Sequence, residues 1–123
     1  MLNEAKAARN EAFRQRTQAA ALRVIRLYRQ LPPVDEADVI GRQLLRSATS
    51  VAANYRASCR ARSAAEYYAK LCICVEEADE TQLWLELIGQ AEILPPNRLT
   101  NLLQEYAAIT AVLTTARHLA SNS

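Results

Sequence analysis

The sequence predicts an all-α fold, an antiparallel up-down-up-down four-helix bundle formed by a single domain over residues 1–123. Half of the residues are hydrophobic and only 2 Gly and 4 Pro occur, while the abundant Ala, Leu, Arg, Glu and Gln all favour helices. Two proline pairs, Pro32-Pro33 and Pro95-Pro96, and a capping box at Ser63 divide the chain into four stretches. The predicted helices cover residues 5–31, 36–60, 64–93 and 97–120, and their short connections favour antiparallel neighbours.

The first predicted helix carries one apolar stripe, which marks its core face. Its members fall on one side of a helix of 3.6 residues per turn, and they are Phe13, Ala20, Val24, Leu27 and Leu31. Leu22 and Ile25 point away from this stripe. We therefore predict that these two side chains belong to an oligomer interface.

The second predicted helix has the clearest amphipathic pattern. Its apolar stripe is about 140° wide and consists of Ala37, Ile40, Gly41, Leu44, Leu45, Ala48, Val51, Ala52, Tyr55 and Cys59. Four arginines, Arg42, Arg46, Arg56 and Arg60, occupy the opposite side within about 80° of one another. They predict a basic outer surface.

The third predicted helix begins at a capping box, Ser63-Ala64-Ala65-Glu66, and has two apolar seams. The first seam should face the bundle, and it consists of Tyr67, Leu71, Cys74, Val75, Ala78 and Leu85. The second steps by four and three residues, as in a heptad pattern, through Ile73, Glu77, Glu80, Trp84, Leu87 and Ala91. This seam either meets a second copy of the chain or widens the buried arc of one bundle.

The fourth predicted helix has a single core stripe. It follows the same helical spacing and consists of Leu99, Leu102, Leu103, Tyr106, Ile109, Thr110, Leu113 and Ala116. This stripe is similar to that of the second predicted helix.

Charge is divided unevenly along the chain. Residues 1–62 hold 12 Lys/Arg and 5 Asp/Glu, a balance of +7, whereas residues 63–123 hold 3 and 8, a balance of −5. A basic half and an acidic half can pair within one chain, between copies, or leave a face for nucleic acid. We predict that Arg42 and Arg46 meet Glu77 and Glu80, in part those of a neighbouring subunit.

Residues with catalytic or metal-binding chemistry do not form a recognisable constellation in the sequence. His118 has no Glu three residues before it, and Cys72 and Cys74 diverge around a helix axis, so no metal and no cofactor are expected. We predict a protein that is not an enzyme and has no small-molecule substrate.

No apolar run of about 18 residues and no signal peptide are visible, and the odd cysteine number fits a reducing compartment, so a cytoplasmic protein is expected.

Two separated groups of residues resemble a bacterial four-helix-bundle family, the one named for proteins encoded in intervening sequences of 23S rRNA genes. The first group is Phe13 with Leu31-Pro32, Gly41-Arg42-Gln43-Leu44-Leu45-Arg46-Ser47-Ala48 and Ser50-Val51-Ala52-Ala53-Asn54; the second is Glu76-Glu77-Ala78-Asp79-Glu80-Thr81 with Trp84-Leu85-Glu86-Leu87. The resemblance implies an antiparallel four-helix protomer and a ring-like homo-oligomer, a pentamer. A distantly related branch holds the accessory protein of diversity-generating retroelements, which binds nucleic acid through a basic surface.

Two functions are compatible with these observations. In the first, a homo-oligomer binds RNA or DNA through phosphate contacts from Arg42, Arg46, Arg56, Arg60 and Arg62. In the second, the protein is an interaction scaffold or adaptor whose arginines pair with carboxylates of the next subunit and bind no nucleic acid. In both, the predicted interface comprises Leu22, Ile25, Ile73, Glu77, Glu80, Trp84 and Leu87.

Overall fold

The structure is a computed structural model that describes residues 4–121, and in this part of the chain four helices pack side by side. They are α1 (Glu4–Tyr28), α2 (Asp35–Ser58), α3 (Ala64–Gln90) and α4 (Thr100–Ser121), with a 3₁₀ turn at Pro96–Arg98. Helices that follow one another in sequence pack together, α2 on α3 most extensively, and α4 also contacts α1. The predicted all-α antiparallel four-helix bundle is confirmed. The prediction of one domain includes residues 1–3 and 122–123, which lie outside the described residues.

The helix ends follow from local hydrogen bonding. The Ser63 hydroxyl accepts from the Glu66 N–H at 3.0 Å and begins α3, as the capping box predicts, whereas the Glu66 carboxylate faces Arg62. Helix α1 ends at Tyr28, three residues before the predicted end. The N–H of Leu31 bonds to the Tyr28 carbonyl, so the chain has already tightened into a turn before the proline pair.

A Schellman motif ends α3. The N–H of Glu92 bonds to the Gly89 carbonyl and the N–H of Ile93 to the Ile88 carbonyl, at 3.1 and 2.9 Å. This pairing requires a left-handed residue after the cap, and Glu92 supplies it with φ 57°. A residue other than glycine pays a conformational cost at positive φ. The two hydrogen bonds of the turn therefore hold Glu92 in this conformation against that cost.

The predicted core stripes converge between the helices. Fully buried side chains from every helix form one cluster, which includes Val24, Leu44, Val51, Leu71, Leu85, Ile88, Leu99, Ile109 and Leu113. Cys59 was predicted in the core but is exposed, because α2 ends at Ser58 and the chain turns away there. The core contains polar groups that the apolar pattern does not predict. The Thr81 hydroxyl donates to Ser47 Oγ at 2.8 Å, which joins α3 to α2.

A close approach of the first connection to α2 occurs at Gly41. A Cβ atom at this position would lie 2.5 Å from Leu31 Cδ1 and 3.1 Å from the Tyr28 ring. Any larger residue would therefore displace these side chains. The absence of a side chain at Gly41 lets the end of α1 and the following turn pack onto α2.

One cross-helix ion pair fastens α4 to α1. The Arg16 guanidinium donates from Nε to Glu105 Oε2 at 2.9 Å and from Nη2 to Glu105 Oε1 at 2.8 Å. This two-bond geometry is the strong form of an arginine–carboxylate contact. The hydrogen bond from Arg16 lowers the pKa of Glu105 below its ordinary value, so the pair stays ionised at neutral pH.

Candidate functional site

A charged cluster bridges α2 and α3 on the outer surface of the bundle. The Arg46 guanidinium donates from Nη1 to Glu77 Oε2 at 2.7 Å and from Nη2 to Glu80 Oε1 at 3.0 Å. Its Nε donates to the Gln43 side chain at 3.1 Å, which holds the arginine in position. One cation thus lies between two carboxylates, and the cluster carries an excess of one negative charge.

The two carboxylates of this cluster titrate differently. Burial raises the pKa of Glu77, but hydrogen bonding with Glu80, once that carboxyl is protonated, and with Arg46 outweighs burial and holds the pKa of Glu77 below its ordinary value. The hydrogen bond to Glu77 raises the pKa of Glu80 in turn. As the pH falls, Glu80 therefore takes up a proton before Glu77 does.

Within the protomer, one of the two predicted arginines contacts the carboxylates of α3. Arg42 and Arg46 were expected to meet Glu77 and Glu80, in part those of a neighbouring subunit, and Arg46 contacts both carboxylates of its own chain. Arg42 instead pairs with Asp38 one turn earlier in α2, at 3.1 Å. The contacts of Arg46 lie within one chain, so this arginine does not need a neighbouring subunit for its partners.

The outward side of α3 carries the second seam that the sequence predicts. Ile73 is 38% exposed and Leu87 is partly exposed. Trp84 packs partly against the core, as expected if the seam widens the buried arc, and its Nε1–H is buried without a hydrogen-bond partner. Leu83, which sequence reasoning missed, is 44% exposed. We call Ile73, Leu83, Trp84 and Leu87 the α3 outer face.

Leu22 and Ile25 lie on α1, and α1 does not pack against α3. Leu22 is 45% exposed and Ile25 is half-buried. Arg29, one turn after Ile25, is exposed and makes no ion pair with the described residues. The predicted interface residues therefore form two separate surfaces of the protomer, one on α1 and one on α3.

The remaining predicted nucleic-acid contacts lie at the end of α2 and in the following turn. Arg56 and Arg60 are exposed and make no ion pair within residues 4–121. Arg62 is 88% exposed and has only a long contact of 3.4 Å to Glu66. Of the five predicted arginines, these three keep their charge available to a partner.

A second group of arginines, which sequence reasoning missed, lines a cleft between α1 and the start of α4. The cleft encloses about 280 Å³, and its lining includes Arg23, Arg26 and Arg98 together with Gln30 and Asn101. Arg23 and Arg26 are three residues apart on α1, a spacing visible in the sequence. Arg98 joins them only through the tertiary fold, because it lies in the 3₁₀ turn before α4.

A metal-binding arrangement is not found among residues 4–121. No group of three or more His, Cys, Asp or Glu side chains there could hold a metal ion. His118 is exposed on α4. The three cysteines are free thiols, with Cys74 buried and Cys72 only partly so. None of the helices in this part of the chain combines the length and the apolar character needed to cross a bilayer.

Comparison with known proteins identifies the family. The family described as 23S rRNA-intervening sequence protein matches residues 9–115. A solved structure of a protein with unknown function from the S23 ribosomal protein family of Bacteroides thetaiotaomicron superimposes with a TM-score of 0.80 at 30% sequence identity. The match covers 85% of this chain and 97% of that one. Comparison with curated proteins gives no match. With most of its length matched in sequence and in structure, this chain belongs to the 23S rRNA-intervening sequence protein family.

Proposed function

We propose that this protein is a homo-oligomeric scaffold, a ring of five copies, in which the α3 outer face of each protomer meets α1 of the next. The observation that carries this proposal is the α3 outer face itself, where Ile73 and Leu83 expose 38% and 44% of their surfaces to water. Large apolar side chains at heptad-like spacing on one face favour a helical partner. The number five comes from the sequence resemblance described above.

A ring needs two different surfaces on each protomer, because a cyclic contact of more than two copies joins unlike patches. The α3 outer face supplies one, and Leu22 with Ile25 on α1 supplies the other. Their charges are complementary. Arg29 lies one turn beyond Ile25, and the Arg46, Glu77 and Glu80 cluster beside the α3 outer face has one negative charge in excess. We expect Arg29 of one copy to approach Glu80 of the next, which would fix the register of the contact.

Native mass spectrometry and light scattering test the assembly. The wild type should show a mass five times the 13.7 kDa of one chain, and Leu83→Glu should dissociate it, because a carboxylate would be desolvated in the contact. Val112→Glu is the matched control, since Val112 is exposed to a similar extent, 42%, on α4. A monomeric wild type, or a Leu83→Glu variant that assembles as the control does, would refute the proposal.

A charge exchange tests the register. Glu80→Arg should weaken the assembly by placing two arginines opposite each other, and Arg29→Glu added to it should restore part of the lost association. Circular dichroism on each variant separates loss of assembly from loss of fold. Equal effects of the single and double variants would show that Arg29 and Glu80 do not meet.

A second candidate function, RNA binding, is favoured by the three arginines at the end of α2 that keep their charge available. Fluorescence anisotropy with an RNA hairpin over a salt series tests it. Arg56→Gln with Arg60→Gln should reduce the slope of log affinity against log salt by about 1.8, at about 0.9 for each phosphate contact. The control is Arg42→Gln. Because Arg42 already pairs with Asp38, the loss of its charge should change the slope little. An equal effect of both variants would argue against specific contacts at the end of α2.

A further inference from the structure

The cleft between α1 and the start of α4 concentrates positive charge. Arg23 and Arg26 extend from α1, and Arg98 comes from the 3₁₀ turn, so that three arginines line one open cleft of about 280 Å³. All three arginines are exposed. No Asp or Glu is among the described residues that line the cleft. Like charges so arranged repel one another unless an anion lies between them.

Several arginines of this protein have their positive charge balanced by a carboxylate. Arg14 pairs with Glu11, Arg16 with Glu105, and Arg46 with Glu77 and Glu80. None of the three cleft arginines makes an ion pair with a carboxylate of residues 4–121, and unlike the other arginines without such a pair they line one common space. Arg98 donates to the neutral Gln30 side chain, which positions its guanidinium without neutralising it.

Glu105 is a carboxylate that interacts electrostatically with one arginine of the cleft, Arg23. Arg23 contributes to the lowered pKa of Glu105, but the hydrogen bond from Arg16 contributes most. Both Glu105 oxygens already accept from Arg16. Glu105 therefore directs its hydrogen bonds to Arg16, and Arg23 lines the cleft without a hydrogen bond to this carboxylate.

We propose that this cleft binds a phosphate group. Guanidinium groups donate pairs of hydrogen bonds that match the oxygens of phosphate, and the Gln30 and Asn101 amides line the same space with further donors. Helix α4 begins at Thr100, beside the cleft, so its positive end adds to the same potential. The cleft accommodates a phosphate group with a small part of its carrier. None of the residues that line the cleft belongs to the α3 outer face or to the arginines at the end of α2.

Isothermal titration calorimetry with two probes tests this inference and identifies the carrier. Inorganic pyrophosphate represents a small phosphate ligand, and a short single-stranded oligonucleotide represents a phosphodiester backbone. Arg23→Gln with Arg26→Gln should weaken binding of the effective probe at least about tenfold, since charge-assisted hydrogen bonds are lost. Arg9→Gln with Arg117→Gln is the matched control, because it removes two positive charges from the same two helices outside the cleft and away from the arginines at the end of α2.

Each outcome decides the inference. Binding of pyrophosphate that is lost only in the cleft variant supports a small phosphate ligand, and binding of the oligonucleotide alone with the same loss supports a nucleic-acid backbone. Failure of both probes to bind, or an equal loss in the cleft and control variants, overturns the proposal. Circular dichroism of the cleft variant verifies its fold, and Arg98→Gln provides a second variant that leaves α1 unchanged.

Discussion

Replacing Arg46 by Met tests whether the bridge between α2 and α3 stabilises the fold. The substitution keeps an unbranched apolar stem and removes the charge, which leaves Glu77 beside Glu80 without their cation. Glu77 is only 12% exposed, whereas Arg46 and Glu80 are 47% and 39% exposed. Exposed pairs contribute about 0–1 kcal/mol, and breaking a buried pair costs about 3–5 kcal/mol. The mixed exposure of this cluster therefore predicts a loss of about 1–2 kcal/mol at pH 7.

Urea unfolding at two pH values measures this loss and its cause. The pKa of Glu77 is held below its ordinary value of 4.5, so the stabilisation by this carboxylate is present above that value and disappears as the pH falls through the lowered pKa. The difference between wild type and Arg46→Met should therefore shrink below about pH 4. Both proteins must be compared at one protomer concentration, because association adds to apparent stability.

The double variant Arg46→Met with Glu77→Gln serves as the control. Removal of the more buried carboxylate should recover part of the loss, because Glu77 then no longer holds a charge without a cation. A free energy of unfolding for Arg46→Met within about 0.3 kcal/mol of the wild-type value at pH 7 would refute the reasoning. Differences of that size are typical of surface substitutions that remove no ion pair or packing contact. A loss that is equal at both pH values would assign it to packing instead of charge.

Four further outcomes are expected. A double-mutant cycle on Arg16 and Glu105 should give a coupling of about 1 kcal/mol by urea unfolding at pH 7, and the coupling should vanish as the pH falls through the lowered pKa of Glu105. Tyr106→Phe should leave stability unchanged or raise it by about 1 kcal/mol, because the buried Tyr106 hydroxyl has no partner. Glu92→Gly should raise the thermal midpoint, since the left-handed conformation at φ 57° costs an L-residue about 1–2 kcal/mol, which exceeds the extra chain entropy of about 0.5–1 kcal/mol that a glycine loses on folding. Cys74 should react with a thiol reagent only on unfolding, because burial raises its pKa to about 12.

Most of the fold could be predicted because the apolar side chains of this chain recur at helical spacing. The stripe through Leu44, Val51 and Tyr55 packs in the core as expected, and Ser63 caps α3 as its spacing indicates. Helix ends were less accurate. The turn after Tyr28 depends on backbone hydrogen bonds that the apolar pattern does not encode.

The candidate sites were predicted only in part, because they depend on side chains brought together from distant positions. The sequence indicates that Arg46 faces away from the core, but its reach to both Glu77 and Glu80 depends on how α2 and α3 cross. The cleft has the same dependence. Arg98 is separated from Arg26 by two intervening helices, and no spacing along the chain could place them together.

The narrow contact between α1 and α4 has a consequence for the order in which the chain folds and opens. Every other helix contact joins neighbours in sequence, and such local contacts form rapidly because little loop entropy is lost. Closure of α1 on α4 joins residues as distant as Arg16 and Glu105, so we expect it to come late in folding and to open first in native-state fluctuations. Amide hydrogens of α1 should then exchange with solvent sooner than those of α2 and α3. The cleft between α1 and the start of α4 lies at this contact. An anion bound there would hold α1 and α4 together and would therefore slow the exchange of the α1 amides.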